Sequence, residues 1–301
     1  MRRRANQPAC SHSWGYRIVM FPLSRLLIAA AAIVLIGSFY GILRQTLGPL
    51  VPGTLGLPEY VISDPIFSAS LSELIEAVAA VGILLFLAKV IEGRSLAEVG
   101  LGRRHLVRNT VLGFVLGLGL FLLLFGMQNL PVLVGVEAWP AKVAWLELSI
   151  PLVSVTFVFT CLIGVAEEVL FRGILFRILE EGLGSWLALA ISASLFALVH
   201  LDPQHPSLIL ITPQLLGGIL LGAAYMLTRS LWLPIGIHWA TDFIYGMFAK
   251  LDALPSSAQT LLDPQILYTV IYLSAGIILL SLAIRRGQVR IPCWMQLKTQ
   301  T

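Results

Sequence analysis

Residues 148–177 read LSIPLVSVTFVFTCLIGVAEEVLFRGILFR, and this stretch decides what kind of protein the chain is. From Leu148 to Ala166 there is no charged residue, a length of helix that crosses most of a bilayer core. Glu167, Glu168 and Arg172 then follow inside the same apolar run. Ionisable groups in a membrane segment cost about 2.5–3.5 kcal/mol each on insertion scales, so three together point to a function. The whole chain agrees with this stretch. Its 301 residues are 57% hydrophobic and only 12% charged, and its mean hydropathy is +0.88. Soluble domains carry roughly 25% charged residues. Lipid is the expected solvent for most of this surface.

Working outward, eight stretches are long and apolar enough to span a bilayer: residues 26–43, 71–91, 110–128, 148–177, 186–200, 208–228, 231–248 and 266–284. The fold class expected is therefore all-α, a polytopic membrane protein with about eight transmembrane helices. Residues 1–25 read as a basic tail, 26–284 as one membrane domain, and 285–301 as a second basic tail. The first apolar run is longer than a signal-peptide core of about 7–15 residues, so a signal anchor is the better reading, with Met20 as an alternative start. With both termini cytoplasmic, seventeen of the twenty Lys and Arg residues fall inside, and only Arg44, Lys142 and Lys250 fall outside. The positive-inside rule thus favours an even number of spans.

The formal charge of +4 is accounted for by this orientation bias, and no basic stretch is interleaved with aromatics, so nucleic acid is not an expected partner. The three cysteines, Cys10, Cys161 and Cys293, are isolated. That spacing argues against a disulfide framework or a thiolate zinc site.

Three clusters carry chemistry. Glu168 and Arg172 are four residues apart and share a helix face, where they can pair. Glu167 is rotated about 100° from that face and stays available as a base. Gly182-Leu-Gly184-Ser185 reads as a tight turn between spans four and five. Glu167 and His200 lie equally far from that turn, so an antiparallel hairpin brings them level. His238 and Asp242 are again four apart, and the carboxylate can orient the imidazole. If the chain reverses near Leu227–Ser230, His238 lies only about 12 Å along its helix, shallower than Glu167 at about 25 Å. A hairpin projecting past the hydrocarbon through Arg177, Glu180 and Glu181 would level them. Each cluster also has a purely structural reading, as an ion pair or hydrogen bond that fixes helix packing.

The set Glu167-Glu168-x-x-x-Arg172, Phe196-x-x-x-His200 and His238-x-x-x-Asp242, in this order on apolar helices, resembles the CPBP family. That family comprises the type II CAAX prenyl endopeptidases and the bacterial Abi-type, bacteriocin-processing relatives. Ser95-Leu-Ala-Glu-Val-Gly-Leu101 is similar to a weaker segment upstream in such proteins, and the motif-bearing core covers about residues 148–250. The resemblance implies an eight-helix, CAAX-protease-like fold in the bacterial plasma membrane, with a cavity open to the cytosol and a peptide or protein substrate. It implies that Glu167 and His200 activate water while His238 and residue 242 assist the oxyanion. Glu168 and Arg172 complete the candidate catalytic set. Asp242 stands where the eukaryotic prenyl proteases have Asn, and an ionised Asp cannot donate to an oxyanion. Its expected role is to orient His238.

Members of this family have been described both as metalloproteases and as glutamate-dependent proteases. Glu167, His200 and His238 are the residues that would ligate zinc in the first case, as nitrogen and oxygen donors. Direct activation of water without an obligatory ion is the favoured reading. Two other functions compete: a catalytically silent immunity or scaffold protein of the same family, and a transporter relaying protons through the buried Glu and His residues. A transporter would be expected to show Gly/Pro-broken spans in corresponding halves, and no such pairing is visible.

Overall fold

The computed structural model describes residues 82, 89, 95–128, 150–201, 208–250 and 264–290. The expected first span and most of the second, the first tail, residues 291–301 of the second tail, and the segments 44–70 and 129–147 lie outside these residues. Among the described residues there are helices and no strands. A short π-helical turn, Ala97–Leu101, precedes α1 (Leu106–Gln128). Helix α2 (Ile150–Glu168) widens to π-helix over Val169–Phe176 and continues into α3 (Arg177–Val199). Then come α4 (Leu208–Thr228), α5 (Trp232–Lys250) and α6 (Pro264–Arg285).

Among the described residues four helical stretches are long and apolar enough to cross a membrane: Ala97–Gln128, Val153–Val199, Ile211–Thr228 and Ile266–Arg285. The second of these is a hairpin. Gly184 has φ 79° and ψ 170°, a conformation open to glycine, and reverses the chain inside α3. Phe171 then packs edge-on against Phe196 with ring centroids 5.1 Å apart, and Ser192 donates to the carbonyl of Phe171 at 3.0 Å. The expected spans from the third to the eighth thus each have a helical counterpart. Helix α5 is not among the four apolar stretches, because His238, Thr241, Asp242 and Lys250 lower its hydropathy. It does not need a lipid-facing surface of its own, since α1, α2 and α4 pack around it.

Small residues let α5 sit deep in this bundle. On α1, Gly113 and Gly117 face Gly236 and Ala240 of α5. A Cβ on Gly113 would lie 2.2 Å from the carbonyl oxygen of Leu233, and one on Gly236 would lie 2.3 Å from that of Thr110. Close approach of this kind is how helices associate where lipid removes the hydrophobic drive between them. The opposite face of α1 exposes Val107, Val111, Val115 and Leu122, as contact with lipid tails requires. The buried core runs through Phe176, Leu220, Met226, Leu231, Ile235 and Ile237, joining the hairpin to α4 and α5. At the start of α5, Pro234 occupies a first-turn position whose N–H has no partner within the helix.

The structure also settles how deep α5 lies relative to the hairpin. Leu231, just before α5, packs beside Gly173 rather than beside the Gly184 turn. His238 is then about 10 Å along α5 from that level, and Glu167 about 9 Å back along its own helix. The hairpin projects past the α4–α5 turn, with Glu180 paired to Arg229 at 2.6 Å. Basic residues gather at this end of the described bundle. Arg177 donates to the carbonyl of Glu98, Arg229 donates to that of Gln288, and Arg290 stands 3.6 Å from Glu180.

Candidate active site

Three helical elements supply the site. The end of α2 and the start of the π-helical segment bring Glu167, Glu168 and Arg172. The end of α3 brings His200, and α5 brings His238 and Asp242. All six residues singled out in the sequence meet in one cluster.

Its floor is a buried ion pair. Arg172 Nη1 donates to Glu168 Oε1 at 2.7 Å, with both side chains essentially inaccessible. Arg172 Nη2 donates to the carbonyl of Gly218 on α4 at 3.0 Å, and its guanidinium lies over the Phe196 ring at 4.6 Å. The Gly218 carbonyl is reachable because α4 and α3 touch there; a Cβ on Gly218 would lie 3.0 Å from the Cα of Ala193. A charge taken from water is tolerable only when paired and hydrogen-bonded, and this pair is held from three helices.

Glu168 does more than the sequence assigned to it. Its Oε1 also accepts from His238 Nδ1 at 3.0 Å. An ionised carboxylate only accepts, so His238 carries a hydrogen on Nδ1 and turns Nε2 toward the rest of the site. There Nε2 lies 3.2 Å from Asp242 Oδ2 and 3.8 Å from Glu167 Oε2. Asp242 therefore meets Nε2 of His238, while Glu168 holds Nδ1. No spacing rule could have found the Glu168–His238 contact, which joins residues seventy apart in the chain.

His200 is fixed in a similar manner. Its Nδ1 donates to the carbonyl of Phe196 at 2.7 Å, which leaves Nε2 facing Glu167 Oε2 at 3.5 Å. The Phe196 ring lies against both imidazoles, with centroids 4.5 Å from His200 and 5.9 Å from His238. Among the described residues Glu167 Oε2 is a buried oxygen with no hydrogen-bond partner. Access is graded across the site. Glu168 and Arg172 are sealed, His238 is 7% exposed, and Glu167, His200 and Asp242 are 26%, 28% and 39% exposed.

Among the described residues no group of three His, Cys, Asp or Glu side chains is disposed to hold a metal ion. The expected ligand set of Glu167, His200 and His238 is brought together, but His238 Nε2 lies at hydrogen-bond distance from Asp242.

An aromatic cluster on the outer side of α5 holds this helix against α2. Trp239 Nε1 donates to the carbonyl of Phe157 at 2.9 Å, and their rings lie 4.5 Å apart. The direct neighbour of His238 is thereby anchored to the helix that carries Glu167.

Fold and site together define an integral membrane protein with a carboxylate–imidazole cluster set among its helices. Residues 149–244, from the start of α2 to well into α5, match the family described as Type II CAAX prenyl endopeptidase Rce1-like. The matched stretch is thus similar to that family over about a third of the chain, and it contains all six clustered residues. No curated protein matches the chain.

Proposed function

We propose that this protein is an intramembrane endopeptidase in which Glu167 and His200 activate the attacking water. The observation that carries the reading is the convergence of Glu167 Oε2 on two imidazole nitrogens, 3.5 and 3.8 Å away, within the matched domain. Glu167 takes a proton from water as its oxygen attacks the peptide carbonyl, and His200 Nε2 accepts the second hydrogen bond of that water. His238 donates from Nε2 to the oxyanion, with Asp242 aligning it and Glu168 holding Nδ1. On collapse the C–N bond breaks, and Glu167 returns its proton to the leaving amine. The substrate class is a peptide or protein segment reaching the membrane.

No step of this reaction passes through an ion. The test is cleavage of a reporter peptide by purified protein, with metal analysis of the same active sample. We expect cleavage that survives chelation. Stoichiometric zinc, lost and regained together with activity, would overturn the direct mechanism. No cleavage across a reporter panel would favour the scaffold or proton-relay readings.

The roles of Asp242 and His238 are separable by substitution. Asp242→Asn keeps an oxygen that accepts from His238 and adds an amide that can donate, so substantial activity is expected. Asp242→Ala is expected to lose more, on the order of the 10²–10³ that follows removal of one oxyanion-hole donor. His238→Ala should match or exceed that loss. The double variant should be little worse than His238→Ala, since residues acting as a unit are not additive. Single-turnover cleavage of one reporter compares the four proteins. If Asp242→Asn is as inactive as Asp242→Ala, the negative charge itself is required and the orienting role is wrong.

A further inference from the structure

Nothing in the proposed chemistry uses the segment Ser95–Gly102, yet it is tied to three elements of the bundle. Ser95 and Glu98 close its first turn: Glu98 Oε2 accepts from the backbone N–H of Ser95 at 2.8 Å and from its hydroxyl at 2.9 Å. Val99 and Gly100 are buried. Gly100 has φ 102°, which directs its carbonyl to the backbone N–H of Leu231 at 2.9 Å. The Trp232 indole donates to the carbonyl of Gly102 at 2.8 Å. Arg177 of α3 donates to the carbonyl of Glu98. On the other side, Val99 fills the notch left by Gly173, where a Cβ would lie 2.8 Å from Val99 Cγ1 and 3.2 Å from Leu231 Cδ1.

One short segment therefore grips the π-helical stretch at Gly173 and the beginning of α5 at Leu231 and Trp232. Those two points lie six residues from Glu167 and seven from His238. We infer that Ser95–Gly102 is a clamp that sets the depth at which His238 meets Glu167 and Glu168. Val99, Gly100, Gly173 and Trp232 are its positioning residues, and none touches the reacting atoms. The need for such a device follows from the helices themselves. The Gly113/Gly117–Gly236/Ala240 seam fixes α5 against α1, which carries none of the six clustered residues, whereas the clamp ties the start of α5 to the stretch that carries Glu167 and Glu168. Its consequence for turnover rests on the hydrolytic reading above; its effect on helix register does not.

Two measurements on the full chain test it. The first is kcat and KM on the reporter peptide. The second is the rate of disulfide closure between Thr156→Cys and Gly246→Cys, with Cys10, Cys161 and Cys293 replaced by alanine. A Cβ on Gly246 would lie 3.9 Å from Thr156 Cγ2, so this pair reports slide of α5 against α2 on the far side of the site from the clamp. Gly173→Ala is expected to slow closure severalfold and to lower kcat by about ten- to a hundredfold, with KM unchanged, because small misplacement costs rate rather than binding here. Adding Val99→Ala removes the blocking methyl and should recover much of both. Trp232→Phe loses only the indole donor and should show the same pattern more weakly, which keeps the test open if Gly173→Ala does not fold. Unchanged closure in both variants overturns the clamp, as does slowed closure with wild-type kcat. If the wild-type protein cleaves nothing, the hydrolytic reading fails, and the closure series alone decides the clamp.

Discussion

Glu167→Gln is expected to lower turnover by about 10²–10⁴, the range general acid–base groups contribute, while extraction yield and thermal unfolding stay at wild-type values. The amide keeps the size of the side chain but cannot take a proton from water. It also leaves the buried floor intact, because Arg172 pairs with Glu168 and not with Glu167. Substrate affinity should change little, so the loss should appear in kcat and not in KM. His200→Ala should follow with a smaller loss, since the imidazole helps hold the water and Glu167 remains. Single-turnover kinetics on one reporter measure both. Wild-type turnover by Glu167→Gln would sink the mechanism, and a large drop in unfolding temperature would make Glu167 a structural residue instead.

Arg172→Ala is expected to have the largest effect on stability, about 3–5 kcal/mol, the scale of leaving a buried carboxylate without its partner. Three interactions vanish together: the 2.7 Å ion pair with Glu168, the bond to the Gly218 carbonyl, and the packing over Phe196. Glu168→Gln should cost less, because its amide oxygen can still accept from His238 Nδ1. The informative protein is the double variant Glu168→Gln/Arg172→Met, which removes both charges and keeps the volume. It should recover a large part of the stability lost in Arg172→Ala, since a neutral pair needs no compensation. Activity should stay low in it, because nothing charged then holds Nδ1 of His238. Unfolding in detergent with parallel reporter cleavage separates the two. An Arg172→Ala protein as stable as wild type would mean that the pair is not the structural floor of the site.

Much of this site could be read from local spacing, and the limits of that reading follow from helix geometry. The i, i+4 rule places Arg172 on Glu168 and Asp242 beside His238, because those contacts lie within one helix and depend only on its pitch. The hairpin was equally readable. Gly182 and Gly184 mark a reversal, and equal distances from it put His200 opposite Glu167. Gly184, with its positive φ, is where the chain turns. What spacing could not supply was the level of α5. Measured from its own turn, His238 is too shallow to reach Glu167. The discrepancy disappears because Arg177–Leu183 continues as helix past the α4–α5 turn and anchors there through Glu180 and Arg229.

The sequence by itself determined the membrane class, the hairpin, and the two pairs formed inside single helices. Each of these depends on composition or on periodicity along one segment. Only the tertiary structure decided that Glu168 serves Arg172 and His238 with the same oxygen, that Asp242 meets Nε2 and not Nδ1, and that Ser95–Gly102 locks Gly173 to Leu231. Those contacts depend on the slide and rotation of one helix against another. A helix's own repeat carries no information about either; they are set by which small residues let backbones approach and which buried donors must find a carbonyl or carboxylate.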